Sequence, residues 1–108
     1  MGIFDALFGR GAPPKPPPEE TEGARRVRES LRAVRDPELD MDIVKMGLVR
    51  AVALDGSKAR VRMTLSTAGC PYGPFLVEEV ERVLREQALE PIVEVELDPP
   101  WSPEDIEQ

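Results

Sequence analysis

Proline sets where regular structure can run in this chain. Its ring fixes φ near about −65° and removes a backbone donor, so it is excluded from helix interiors and central strands. The chain has 12 prolines in 108 residues. Several crowd into "APPKPPPEE", Ala12 to Glu20, which reads as an extended linker. The others punctuate the rest of the chain. Asp36-Pro37 closes a first helix, because the residue before a proline disfavours helical geometry. Pro71 suits the first turn of a second helix. Pro91 restarts an extended segment, and "DPPW", Asp98 to Trp101, is held extended by its two prolines. Ser102-Pro103-Glu104-Asp105 has the form of a cap and first turn of a short last helix.

Hydrophobic spacing fills the intervals. Val27, Leu31 and Val34 follow the i, i+4, i+7 rule of an amphipathic helix. "LVRAVAL", Leu48 to Leu54, reads as a strand, and Asp55-Gly56 as the turn of a hairpin. In the next strand Ala59, Val61, Met63 and Leu65 point one way, with Lys58, Arg60, Arg62 and Thr64 opposite. Such a sheet packs on one face and meets water on the other. Leu76, Val80, Val83 and Leu84 give the helix after Pro71 an apolar stripe. Val93, Val95 and Leu97 alternate with Glu94 and Glu96 in a last strand. The order is α-β-β-α-β plus a short C-terminal helical turn. A β-α-β crossover makes the last strand parallel to the second. The expected class is α+β: a two-layer domain with a three-stranded mixed sheet and its helices on one face.

The division expected is a tail over residues 1–23, with its proline-rich linker, and one domain over residues 24–108. Ile3, Phe4, Leu7 and Phe8 lie on one helical face of the tail. They read either as a terminus that orders only in contact with something else or as a short docking peptide. Ala6 stands where a myristoylation signal needs serine or threonine.

Charge and residue usage exclude several functions. The net charge is −7, with no basic cluster, so a nucleic-acid partner is not expected. No apolar run approaches the roughly 20 residues of a membrane span. No secretory signal is present, and one cysteine forms no internal disulfide, so the expected location is the cytoplasm. The absence of histidine removes a Cys-His nucleophile pair and a closed zinc site.

Cys70, in "STAGCPYGP", is the lone thiol. With a helix starting at Pro71 it would sit at or beside the helix N-terminus, where free N–H groups and the dipole favour thiolate. Its other reading is a small buried residue at a strand–helix junction. Thr64, Ser66 and Thr67 could hydrogen-bond a sulfur or an anion there, or simply cap the loop. Asp36, Glu38, Asp40 and Asp42 alternate like the start of a calcium loop. The pattern fails at Met41, where glycine is needed, and at Gly47, where a bidentate glutamate is needed. A solvated acidic turn is the better reading, with Asp36 accepting local backbone N–H bonds. Trp101 is either a plug over one edge of the core or an interface anchor.

Four stretches carry a resemblance: "DPELDMDIVKMGLV", "VRMTLSTAGCP", the helix after it, and "VEVELDPPW". Together they resemble the MIP18-type family of iron–sulfur assembly factors, with its SufT-like and PaaD-like members. The resemblance runs from about Val27 to Ile106. It implies a small α/β domain and an accessory role in assembling iron–sulfur clusters or passing them to client proteins. The family's reactive cysteine matches Cys70. Its acidic motif matches Asp36 and Glu38, and its tryptophan motif matches Asp98 and Trp101. Two departures stand out. Arg50 follows Gly-Leu-Val where the family often has an aromatic, and Ser66-Thr67-Ala68 precedes Gly-Cys-Pro where it often has Thr-Ser-Pro. PaaD-type members carry extra cysteines in a C-terminal extension, which this chain lacks.

One thiolate cannot hold a cluster that needs about four ligands. The expectation is a transient iron–sulfur cluster, shared with a second chain of a homodimer, with small thiols or with a client, and no certain resident cofactor. Cys70 then contacts cluster, metal or client thiol, with Thr64 and Thr67 beside it. Asp36, Glu38, Asp98 and Trp101 shape the site or the partner face. The expected partners are the assembly machinery and apo-client proteins. The alternative is a non-catalytic adaptor in which Cys70 is structural. An enzyme is not expected, because neither a histidine base nor a second, resolving cysteine is available.

Overall fold

The computed structural model describes residues 20–67 and 69–107. The readings of Ile3–Phe8 and of the proline-rich linker lie outside them. Helix α1 (Glu22–Ser30) starts on Thr21, whose Oγ1 accepts from the Ala24 N–H at 3.1 Å. A 3₁₀ turn over Leu31–Ala33 continues it. Ala24, Val27, Leu31 and Val34 are all buried, as their spacing requires.

The helix does not run to Asp36-Pro37. The backbone is already extended at Val34, with φ −92° and ψ 121°. The reason is a small ladder that the sequence pattern did not reveal. β1 (Arg35–Asp36) pairs antiparallel with β2 (Met41–Asp42). Two-residue strands carry no periodic signal. The acidic turn between them is held by Asp36, whose Oδ1 accepts from the N–H groups of Glu38 (2.7 Å) and Leu39 (3.2 Å). A second unexpected element comes next. α2 (Ile43–Met46) is capped by Asp42, which accepts from the Lys45 N–H at 2.7 Å. It ends on Gly47 at φ +81°, the left-handed position that favours glycine.

β3 (Val49–Asp55) and β4 (Lys58–Met63) form the expected hairpin. Asp55 pairs with Lys58, so the two-residue loop is Gly56-Ser57, one residue later than the Asp55-Gly56 signal placed it. Gly56 supplies the positive φ, +62°. α3 (Gly73–Glu86) crosses over, and β5 (Glu90–Val95) returns parallel to β4. The sheet order is β3-β4-β5. One core joins Leu76, Val80 and Leu84 of α3 to Val61 and Met63 of β4 and Val27 of α1. The architecture is the expected two-layer α+β domain with a three-stranded mixed sheet. On the opposite sheet face Arg60 pairs with Glu94 at 3.3 Å, and Arg62 pairs with Glu96.

The outer edge of β3 is closed by side chains. Glu20 accepts from the Val52 N–H at 3.0 Å, and Arg28 donates to the Val49 carbonyl at 2.8 Å. Arg28 Nε also donates to Glu20 at 2.9 Å. The domain's contacts therefore reach back to Glu20, ahead of residue 24. At the other end Trp101 packs against the core, and its Nε1–H donates to the Met46 carbonyl at 2.6 Å. Trp101→Phe keeps much of the apolar contact and removes this donor. It is expected to cost about 1–2 kcal/mol, measured by urea unfolding.

Candidate functional site

β4 runs into a fully buried threonine. The Thr64 N–H donates to the Leu48 carbonyl at 2.8 Å, while Thr64 Oγ1 is buried without a hydrogen-bond partner among the described residues. Ser66 Oγ is in the same condition. Two turns lead on from there. The Cys70 N–H donates to the Thr67 carbonyl at 3.2 Å, and the Gly73 N–H donates to the Cys70 carbonyl at 3.1 Å. α3 begins only at Gly73, with Pro74 in the first-turn position assigned in the sequence to Pro71. Cys70 is thus not on the helix terminus but about one turn ahead of it. A proline can occupy a turn as readily as a helix start, so Pro71 alone did not fix the boundary.

Cys70 is 8% exposed, while Gly69, Pro71 and Tyr72 around it are exposed. The thiol lies just beneath the surface rather than on the loop's outside. The loop is tight. A Cβ on Gly73 would come within 2.9 Å of Leu65 Cδ1, so the lack of a side chain lets the helix start close against the end of β4.

The acidic turn reaches this end of the sheet through the backbone. The Ile43 N–H donates to Val34, Leu48 to Ile43, and Thr64 to Leu48, at 3.0, 3.0 and 2.8 Å. This chain of bonds ties the start of the Asp36 turn to the strand end that holds Thr64. Asp36 is 1% exposed, and its Oδ2 is buried without a partner among the described residues. Leaving a carboxylate oxygen desolvated is unfavourable, so such atoms call for an explanation. Asp36→Ala would orphan the N–H groups of Glu38 and Leu39. A loss of about 2–3 kcal/mol is expected in chemical denaturation.

The other predicted residues are placed differently. Glu38, Thr67 and Asp98 are exposed. The Asp98–Pro99 peptide bond is cis. Trp101 is half-buried and bonded to α2, which fits the core plug better than a free interface anchor. Two features were not legible in the sequence. Arg50 is half-buried with Nη1 sealed from solvent and without a partner among the described residues. Its only signal was the departure from the family pattern. Tyr72, Phe75, Val95 and Leu97 are large apolar residues left exposed, at 39%, 48%, 41% and 44%. Alternation alone assigns Val95 and Leu97 to the core. Among the described residues no group of three or more cysteine, aspartate or glutamate side chains is placed to hold a metal ion. No helix among them is long and apolar enough to cross a membrane.

The structure is thus a small α+β domain whose one thiol lies on the connection between β4 and α3, in the same stretch of chain as Thr64 and Ser66. Comparison with known proteins sharpens this. Residues 24–97 match the family model described as iron–sulfur cluster assembly protein. The chain is 44% identical over 71 residues to the Fe-S protein maturation auxiliary factor SufT of Staphylococcus aureus, covering 65% of this chain and 78% of that one. It is 37% identical over 79 residues to the Fe-S protein maturation auxiliary factor YitW of Bacillus subtilis, covering 70% and 78%. The fold matches a crystal structure of a DUF59 domain of unknown function from Bacillus anthracis with TM-score 0.75 and 37% identity, over 79% of this chain and 84% of that one. The chain belongs to the iron–sulfur cluster assembly protein family. Its role is that of an accessory factor in iron–sulfur cluster assembly.

Proposed function

We propose that this protein assists the transfer of iron–sulfur clusters to client proteins in the cytoplasm, with Cys70 as its one contact to cluster, iron or client thiol. The observation that carries the reading is that Cys70 shares one strand–helix connection with the hydroxyls of Thr64 and Ser66, both buried and without a partner among the described residues. Polar groups left unsatisfied beneath a surface favour a ligand that brings its own hydrogen-bonding partners. A cluster's bridging sulfides and a client's cysteine both do so.

The cluster is cargo here, not a resident cofactor. The whole chain supplies one thiol and no histidine, whereas a cluster takes about four ligands. The remaining ligands come from a client, from the assembly machinery or from a second copy. A site that contributes one ligand releases its cargo readily, which suits transfer. Asp36 positions the acidic turn through Oδ1, and a movement of that turn would bring its buried Oδ2 to a ligand or to a partner's donor. Glu38, Asp98 and Thr67, all exposed, are assigned to the partner-facing surface, and Trp101 is tied to α2 through the Met46 carbonyl. No turnover chemistry is assigned to any residue.

Asp36→Asn separates holding from contact. The amide oxygen still accepts from Glu38 and Leu39, while the free acceptor becomes a donor. The expected outcome is an unfolding midpoint close to wild type with reduced transfer from a cluster-loaded scaffold to an apo-client, read as client activity regained. Unchanged transfer would remove Asp36 from the site. Blocking Cys70 with a thiol reagent should stop transfer. Transfer that persists with the thiol blocked would establish the adaptor reading in place of this one.

A further inference from the structure

The two edges of the sheet are treated differently. β3 is closed by Glu20 and Arg28. β5 is not. The N–H groups of Glu90 and Glu96 donate to Ser57 and Met63, both on the β4 side, at 2.7 and 2.8 Å. In a parallel pair alternate residues bond the neighbour, so the even-numbered residues of β5 face β4. The N–H and C=O groups of Val93 and Val95 therefore face away from β4, on the side where no described strand follows β5. Pro91, which lacks an N–H, stops pairing at the start of this edge. The open stretch lies at the Cys70 end of the sheet. Val95 is in register with Met63, the residue before Thr64, and is 41% exposed, with Leu97 beyond it at 44%.

An open edge of this kind takes up an extended chain by strand addition. Charge decides whose. Between Arg85 and Gln108 there is no lysine or arginine, and eight residues are acidic. On the sheet face opposite the core, β5 presents Glu94 and Glu96, whose side chains stay 46% and 37% exposed beside Arg60 and Arg62. Each of these glutamates is paired with an arginine of β4 and keeps an exposed side open to a second cation, whereas a second copy pairing β5 to β5 would bring only further glutamates. A basic strand meets the opposite situation.

We infer that the β5 edge, at Val93 and Val95, binds an extended segment of a partner protein in which apolar residues alternate with lysine or arginine. Backbone bonds to Val93 and Val95 supply affinity. The apolar residues of the segment join the Val95–Leu97 side, and its cations meet Glu94 and Glu96. It rests on the transfer reading only for the owner of the segment, a client or an assembly protein held next to Cys70.

The test uses the full chain without cluster and a synthetic capped peptide, Lys-Val-Lys-Val-Lys-Val, with binding read by backbone amide NMR. The expected result is saturable shifts centred on Val93 and Val95, with slowed amide exchange at both. Val95→Pro removes one outward donor and leaves the β4 ladder intact, and it should weaken binding at least about tenfold, since that donor is charge-independent and central to the edge. On wild-type protein, the same peptide N-methylated at alternate residues should bind as weakly, which keeps the test valid if the proline variant is unstable. A Glu-Val peptide should not bind. Cys70→Ser should bind the Lys-Val peptide like wild type, which separates this surface from the thiol. Absent shifts, equal binding of the Glu-Val or N-methylated peptide, or concentration-dependent broadening of Val93 and Val95 without peptide would each overturn the inference. The last would assign the edge to a second copy.

Discussion

Cells that depend on this protein and carry Cys70→Ser are expected to lose at least about tenfold in the activity of an iron–sulfur client, a loss typical of disturbing a metal's immediate surroundings. The variant should still fold. Cys70 is nearly buried, so serine places a hydroxyl where sulfur packed, at a cost of about 1–3 kcal/mol. That cost alone could lower the amount of protein, so Cys70→Ala belongs beside it. Alanine removes the sulfur without burying a hydroxyl. If both variants accumulate normally and both fail, the sulfur itself is required. If Cys70→Ala matures clients as wild type does, Cys70 is a packing residue and the protein is an adaptor.

The largest effect on stability is expected from Gly47→Ala. Gly47 ends α2 at φ +81°, a conformation unfavourable for a residue with a side chain. Space is a greater problem than φ. A Cβ there would sit 2.2 Å from the Asp105 carbonyl oxygen and 2.9 Å from its carbon. Backbone cannot rotate aside as a side chain does, so the 3₁₀ turn over Pro103–Asp105 must lift away from α2. The Trp101 bond to Met46 and the Glu107 N–H bond to the Lys45 carbonyl at 2.7 Å are both at risk. Strain, clash and lost bonds together predict a loss of at least about 3 kcal/mol. For a domain of this size that lowers Tm by roughly 12 °C or more, read by circular dichroism. Gly69→Ala is the control. Nothing lies within 4 Å of its Cβ position, and its midpoint should barely move.

The large elements were legible because each is long enough to display its period. The stripe Leu76, Val80, Val83, Leu84 marked α3, and the alternation of Ala59, Val61 and Met63 marked β4. The single helix between β4 and the last strand then made β5 parallel to β4. What escaped was short. β1, β2 and α2 span two to four residues each, and they exist through single side-chain caps, Asp36 and Asp42, that look like any acidic turn. The candidate site could be named in the sequence as residue types and not as geometry. Cys70, Thr64 and Asp36 could be named from their surroundings in the sequence. That Asp36 and Thr64 are buried with oxygens unpartnered among the described residues depends on tertiary packing, which the sequence pattern does not display. The same holds for the contrast between the closed β3 edge and the open β5 edge. Glu20 closes β3 from the far side of α1, a contact between residues 32 apart in the chain.

The central claim is that Cys70 contacts a cluster as one ligand of a shared set. Anaerobic reconstitution with iron and sulfide, on wild type beside Cys70→Ser, tests it most directly. The predicted result is a sulfur-to-iron charge-transfer band in wild type at about half a cluster per chain or less, as one thiol per chain requires, and no band in the variant. Equal bands in both proteins would contradict the claim.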